Sequence, residues 1–239
     1  MTPSSASDVE VVALDDAEIS LEAWQWPFAT ARRGEIDRHF AHLQRERSGV
    51  WNGRVLLMHR HVISGLVLRG GCFETDYASL CAWRDWQLSD RTVCNFFVAA
   101  ALRAADGAYL VGEMAPETAA AGLLYFPCGT PEPDDIDADG MFDLAGNVRR
   151  ELLEETGLEM SDLQSEPGWT LVRDRGYVGL LKRLTAPQDA DALRARIMRH
   201  IAGEERPELI DMHILRGPED FDGRMPPFVT LFLEAAWRR

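Results

Sequence analysis

The stretch of this 239-residue chain whose residue types and spacing suit chemistry is Arg150-Glu151-Leu152-Leu153-Glu154-Glu155-Thr156-Gly157-Leu158. In a helix, Glu151, Glu154 and Glu155 fall at i, i+3 and i+4, so their carboxylates share a face while Leu152 and Leu153 turn toward packing. Like charges at that spacing repel by roughly 0.2–0.5 kcal/mol per pair in an isolated helix. Something positive must compensate them. Arg150 stands four residues before Glu154 and can pair with it, which also holds that carboxylate's orientation. The remaining charge suits a hard, oxygen-seeking divalent cation, Mg²⁺ or Mn²⁺. The same spacing taken alone also describes a solvated acidic helix face.

The elements around this stretch must position it. Asp143 is placed to cap the helix at its N-terminus, and Gly157 suits the left-handed position just past its end. The acids therefore lie in the last turns, where the helix dipole disfavours negative charge, a local conflict that stability alone would not select. Before the helix, CNFFVAAALRAADGAYLVGEM divides at Asp106-Gly107 into two strand-like runs, and LLYFPCGTPEPDDIDADG is a strand entering a Pro/Gly/Asp loop. After it come a strand pair (WTLVRDRGYVGLLKRLTA), an amphipathic helix (DALRARIMRHIA), a strand (ELIDMHILR) and a closing helix (PPFVTLFLEAAW) with Pro at its start. Intermixed strands and helices from about residue 92 to the end define an α/β layered domain.

Upstream, residues 19–91 read as an α+β extension. Glu35–Arg47 places Ile36, Phe40 and Leu43 on one helical stripe, Arg54–Arg69 is a hairpin, and Thr75 caps a helix over DYASLCAWRDW. Residues 1–18 are Ser/Asp/Glu-rich without period and are expected to form a flexible arm. The aromatics Trp24, Trp26, Trp51, Trp83 and Trp86 suit either a core or stacking on a base.

Composition narrows the function classes. A formal charge of −14 argues against a nucleic-acid partner, since binding a polyanion needs a basic face. An anionic small substrate would then need a cation as intermediary. No apolar run reaches the roughly 18–20 residues of a membrane helix, and the acidic N-terminus is unlike a signal peptide. The four cysteines, Cys72, Cys81, Cys94 and Cys128, show no metal-finger spacing and imply free thiols and a cytoplasmic setting.

Arg150–Leu158 also resembles a known family: it matches in full the second half of the Nudix box, R-E-U-x-E-E-x-G-U with U apolar. The first half departs from the pattern. Counting back from Arg150 places Phe142 where the family has Glu and Ile136 where it has Gly, and Phe126-Pro127-Cys128-Gly129 resembles the family's Pro-Gly-Gly segment with Cys128 in place of the first glycine. Asp143, one position from the expected Glu, is a candidate substitute.

The resemblance implies a Nudix-type α/β/α sandwich with a mixed sheet over residues 92–239. It implies Glu151, Glu154 and Glu155 as ligands of Mg²⁺ or Mn²⁺, a backbone contribution from Gly129, and Arg150 as the residue that orients the acids. It also implies a further carboxylate from a later loop, for which Glu204, Glu205 and Glu208 are candidates, Glu208 first. Arg173, Arg175 or Arg183 would hold a substrate's outer phosphate. The implied activity is cleavage of the diphosphate bond in a small-molecule nucleotide substrate, a nucleoside diphosphate joined to another group such as a nucleotide sugar or ADP-ribose. A homodimer is the implied assembly. Gly49-Val50-Trp51-Asn52-Gly53, followed by a hairpin, resembles the N-terminal part of Nudix enzymes that split UDP-glucose and UDP-galactose. The alternative is a Nudix-like module that binds a nucleotide metabolite without cutting it.

Overall fold

The computed structural model describes residues 9–46 and 50–238. In chain order the strands and helices are β1 (Val9–Leu14), β2 (Asp16–Leu21), α1 (Pro27–Ala31), α2 (Arg33–Glu46), β3 (Arg54–Ser64), β4 (Val67–Asp76), α3 (Tyr77–Asp85), β5 (Asn95–Arg103), β6 (Tyr109–Met114), β7 (Leu124–Tyr125), α4 (Leu144–Thr156), β8 (Gln164–Ser165), β9 (Trp169–Asp174), β10 (Tyr177–Thr185), α5 (Ala190–Ile201), β11 (Leu209–Leu215) and α6 (Pro227–Trp237). The α/β class expected from the sequence is observed. Contacts divide the chain into two compact units, one of residues 1–15, 97–129 and 144–239, the other of residues 16–96 and 130–143. This division differs from the arm, extension and domain boundaries drawn from the sequence, because the chain passes between the units four times.

The first unit is built on an eight-stranded sheet with the order β1-β9-β10-β5-β6-β11, to which β7 adds beside β6 and β8 beside β10. Successive strand residues point to opposite faces. On one face Phe97, Ala99 and Ala101 of β5 and Tyr109 and Val111 of β6 pack with Val229, Phe232 and Leu233 of α6. Helix α5 packs on β11 and β6 through Leu193, Ile197 and Ile201, and α4 packs against α5. The alanine run that could have been helical is the centre of β5, buried throughout, because small side chains let helices approach a central strand closely. Gly107, at φ +92°, makes the expected turn between β5 and β6.

Strand β1 corrects the expected flexible arm. Its residues pair antiparallel with β9, Val9 opposite Asp174 and Leu14 opposite Trp169, and Glu10 forms an ion pair with Arg173. An edge strand needs only a partner of matching register, and that partner lies some 160 residues away (|i−j| = 163 for Glu10 and Arg173).

The second unit contains the three-stranded sheet β2-β4-β3, with β2 parallel and β3 antiparallel to β4. Its cores are formed by Trp26, Leu57, Phe73 and Trp83, and by Ile36 and Phe40 of α2 against Ala78 and Ala82 of α3. The cap of α3 is Asp76, which accepts from the Ser79 amide, and not Thr75, which is the penultimate residue of β4 and buried. Of the aromatics expected as core or stacking residues, Trp83 and Trp26 are buried and Trp51 is 80% exposed. Gly49, the first residue of the expected Gly49–Gly53 turn, and Arg47, at the expected end of α2, lie outside the described residues. Among the described residues no helix is long and apolar enough to cross a membrane.

Candidate functional site

Helix α4 carries the acidic cluster and ends as its sequence demands. Gly157 adopts φ +66°, a region that costs a residue with a Cβ roughly 1–2 kcal/mol, and its amide donates to the Leu153 carbonyl. The His200 ring, from α5, fills the space beside Gly157, and its Nε2 lies 3.0 Å from the Glu154 carbonyl oxygen. A carbonyl freed by the helix end thus finds a donor on the neighbouring helix. The chain enters α4 directly after Asp143.

The three glutamates do not share one environment. Glu151 and Glu155, four apart, are buried at 6% and 5% exposure, whereas the Glu154 side chain is 60% exposed. Leu153, expected to pack, is exposed at 45%, while Leu152 is fully buried. Only the Leu152 side of the helix meets the interior, so Glu154 and Leu153 turn outward. Arg150 bridges two of the acids, with Nη1 2.6 Å from Glu151 Oε1 and 3.5 Å from Glu154 Oε2, the second being the i, i+4 pair expected.

Glu155 is the unusual member. Both of its carboxylate oxygens are buried and neither makes a hydrogen bond of normal geometry. Burial first, then the charges of Glu151 and Glu208, push its pKa well above the usual carboxylate range. The backbone amide of Cys128 lies close enough to oppose this weakly. The Cys128 thiol is raised by burial and by Glu155, Glu151 and Glu208, and the Tyr125 hydroxyl by burial, Cys128 and the same acids. A Cβ on Gly129 would lie 2.5 Å from Glu151 Oε2, so only glycine lets that carboxylate approach the loop backbone.

The structure therefore gathers Gly129, Glu151, Glu155 and Glu208 in one electrostatic neighbourhood. Glu208 is brought there by β11: Leu209 pairs with Met114 of β6, the Glu208 carbonyl accepts from the Ala115 amide at 2.8 Å, and β6 pairs with β7, which leads into Cys128 and Gly129. Glu204 stands instead 3.8 Å from His200 Nε2, and neither it nor Glu205 is among the largest influences on Glu155. Of the three arginines considered for an outer phosphate, Arg173 pairs with Glu10, and Arg175 occupies a left-handed turn at φ +51°. Arg183 lies over the Phe232 ring with Nε and Nη2 buried and without hydrogen-bond partners.

Sequence reasoning missed Tyr125 and His200. The departure Pro127-Cys128-Gly129 marked the loop on which Cys128 lies, whereas nothing local to His200 indicates its contact with α4.

A buried carboxylate whose oxygens lack partners, with a second buried carboxylate beside it, suits a divalent cation, since a charge taken out of water must be matched by another. The all-oxygen donors suit Mg²⁺ or Mn²⁺. Among the described residues, however, no group of three His, Cys, Asp or Glu side chains is arranged to hold a metal ion.

No family model matches the chain, and no curated protein matches it. Among solved structures it is similar to the MutT protein from Methanosarcina mazei Go1, at 17% identity over 60% of this chain and 93% of that one, with a TM-score of 0.39. It is similar to a Nudix hydrolase from Nitrosomonas europaea at 20% identity, covering 61% of this chain and 91% of that one, with a TM-score of 0.36. A third likeness is to the Nudix hydrolase RenU from M. smegmatis, at 13% identity, 61% and 81% coverage and a TM-score of 0.37.

Proposed function

We propose that this protein is a Nudix-type hydrolase that uses Mg²⁺ or Mn²⁺ to cleave the diphosphate bond of a nucleoside diphosphate joined to another moiety, a nucleotide sugar or an ADP-ribose-like compound. The observation that carries this reading is the buried Glu155 carboxylate, whose oxygens lack hydrogen-bond partners, beside Glu151 in the RELLEETGL stretch that ends α4. A diphosphate is anionic and repels an incoming nucleophile. When bound, the cation would neutralise that charge and lower the pKa of a water.

Each residue has a part in this reading. Glu151, Glu154 and Glu155 would hold the cation through their carboxylate oxygens. Gly129 keeps the loop backbone close enough to contribute a carbonyl. Arg150 fixes the direction of Glu151 and Glu154. Glu208 would accept a proton from the attacking water, a role supported by its charge acting on Glu155. A cytoplasmic setting, a nucleotide substrate without nucleic acid or membrane, and a homodimer belong to the same proposal.

One observation favours a second reading, a module that binds a nucleotide metabolite without cutting it: Ile136 and Phe142 stand where the family has glycine and glutamate. The test incubates the protein with UDP-sugars, ADP-sugars, ADP-ribose, dinucleotides and coenzyme A plus Mg²⁺, and follows phosphate released by an added phosphatase. Turnover on one class with production of the nucleoside monophosphate is expected. Tight binding without turnover on any would establish the module instead.

A further inference from the structure

The second unit contains a pocket of about 440 Å³ whose lining includes Trp24, Trp26, Arg33, Arg54, Glu74 and Asp76. This volume lies within the range of small-molecule sites, roughly 300–1,000 Å³. The charges around it are already balanced. Arg33 Nη1 donates to Asp76 at 2.8 Å and its Nε to Asp37 at 2.9 Å, while Arg54 pairs with Glu74. An isolated phosphate or ammonium would have to break one of these pairs to be held. What the rim offers instead is a set of donors and acceptors with little net charge.

Trp24, half-buried and packed at the margin of the Trp26–Phe73–Trp83 core, is held firmly by its neighbours. One face of its ring stacks on His59, at 4.8 Å and 12° between planes, and Phe73 meets it edge-on at 4.5 Å. His59 is fixed in turn by Glu22, 2.8 Å from Nε2, and Glu22 also accepts from Arg60. Gly71 permits this arrangement, since a Cβ there would lie 2.6 Å from the Glu22 carboxylate. Trp26 is anchored separately by its indole N–H to Asp90 at 2.8 Å. Trp24 is thus a pre-set aromatic surface with one face covered, half-buried at the wall of a pocket whose rim carries hydrogen-bonding groups.

We infer that this pocket binds an uncharged planar heterocycle of the nucleobase class, stacked on Trp24 and met at its edges by the Arg54–Glu74 and Arg33–Asp76 pairs. Stacking on an aromatic platform tolerates any base because every base has a π-face, and paired donor and acceptor groups read the edge. Pre-setting the ring removes the ordering cost that a mobile tryptophan would incur.

The inference is independent of the hydrolase reading, and its test separates the two. Calorimetric titration is done in EDTA with the free nucleosides adenosine, guanosine, cytidine and uridine, which carry no phosphate and need no cation. Saturable binding of at least one nucleoside is expected. Trp24→Phe, which keeps a ring, should bind within about threefold of wild type, and Trp24→Leu should weaken binding by about tenfold or more, the loss of one stacking contact. Arg54→Met, at a rim side chain 54% exposed, provides a second variant that leaves the core untouched and should change the preference among the four bases. Absence of saturable binding by every nucleoside would overturn the inference, as would binding unchanged in both Trp24→Leu and Arg54→Met.

Discussion

The Cα of Gly129 stands so close to the Glu151 carboxylate that a Cβ on it would lie 2.5 Å from Oε2 and closer still to Oε1. The loop before α4 and the buried acid on α4 are thus fitted to each other through the absence of one methyl group. The group in the way is the tip of a flexible side chain, which can swing aside at modest cost, so structure and function should respond differently to filling the gap. Gly129→Ala is expected to lower stability by about 1 kcal/mol, the low end for overpacking, while reducing turnover on whichever substrate of the proposed panel is cleaved by about a hundredfold or more. Melting temperature and kcat measured on the same preparation check this. A variant with unchanged kcat would show that the position of the Glu151 carboxylate does not matter to the chemistry.

Glu155 should make the cation-free protein less stable than it could be. Its folded pKa lies well above the ordinary 4.5, so between those two values the folded state binds more protons than the unfolded state. Stability then falls as pH rises from the ordinary value through the raised one, and below the ordinary value the effect is absent because both states are protonated. Glu155→Gln removes the ionisation and is expected to raise stability in EDTA near neutral pH by on the order of 1–3 kcal/mol, with the gain vanishing below about pH 4. Added Mg²⁺ should raise the wild-type melting temperature and leave that of the variant unchanged, since a ligand stabilises only the state that binds it. Wild-type and variant curves of identical slope against pH would show that Glu155 is not held in this way.

The acids at the edge of the cluster should differ in weight. Glu154 has a 60% exposed side chain, so solvent screens its charge. Glu208 is brought by β11 to where its charge acts on Glu155 and Cys128. Glu208→Gln is expected to cut kcat by about a hundredfold or more, the usual scale for a lost proton acceptor, and Glu154→Gln by about tenfold. Glu204→Gln should leave kcat unchanged, because Glu204 stands beside His200 and is not among the largest influences on Glu155. Steady-state kinetics on the three variants rank them; a larger loss in Glu204→Gln than in Glu208→Gln would move the proton acceptor to the loop.

What the sequence disclosed was local. Gly157 after a run of helix formers marks a helix end whatever surrounds it, and Asp106-Gly107 between two apolar runs marks a turn for the same reason. The pairing of Arg150 with Glu154 follows from helical spacing alone and is seen at 3.5 Å. The sequence did not disclose which of three similar glutamates is buried, because that depends on Cys128, Tyr125 and Glu208, residues that β7 and β11 bring to α4 from far along the chain. It did not disclose β1 either: Val9–Leu14 is a short run with no turn signal beside it, and only β9 supplies its partner. Leu153 lies outward, not in the packing its sequence position suggests, because the buried face of α4 runs through Glu151, Leu152 and Glu155 and leaves Glu154 on the exposed side.

His200 and Gly157 form a contact whose energetics can be separated. The ring approaches so closely that a Cβ on Gly157 would lie 2.5 Å from its Cγ, and His200 Nε2 also serves the Glu154 carbonyl at 3.0 Å. Gly157→Ala therefore suffers twice, from the left-handed backbone at φ +66° and from the ring, and is expected to lose about 2–3 kcal/mol. His200→Ala loses the hydrogen bond and its packing, at about 1 kcal/mol. In the double variant the methyl group introduced at position 157 occupies space the ring has left, so the two losses should not add: the combined cost is expected to fall short of the sum by about 1 kcal/mol, the coupling typical of residues in contact. Urea unfolding of the wild type, both single variants and the double variant measures the coupling directly. Additive losses would mean that the ring does not press on Gly157 in solution, and that the last turn of α4, with Glu154 and Glu155 on it, is held by the backbone of its own helix alone.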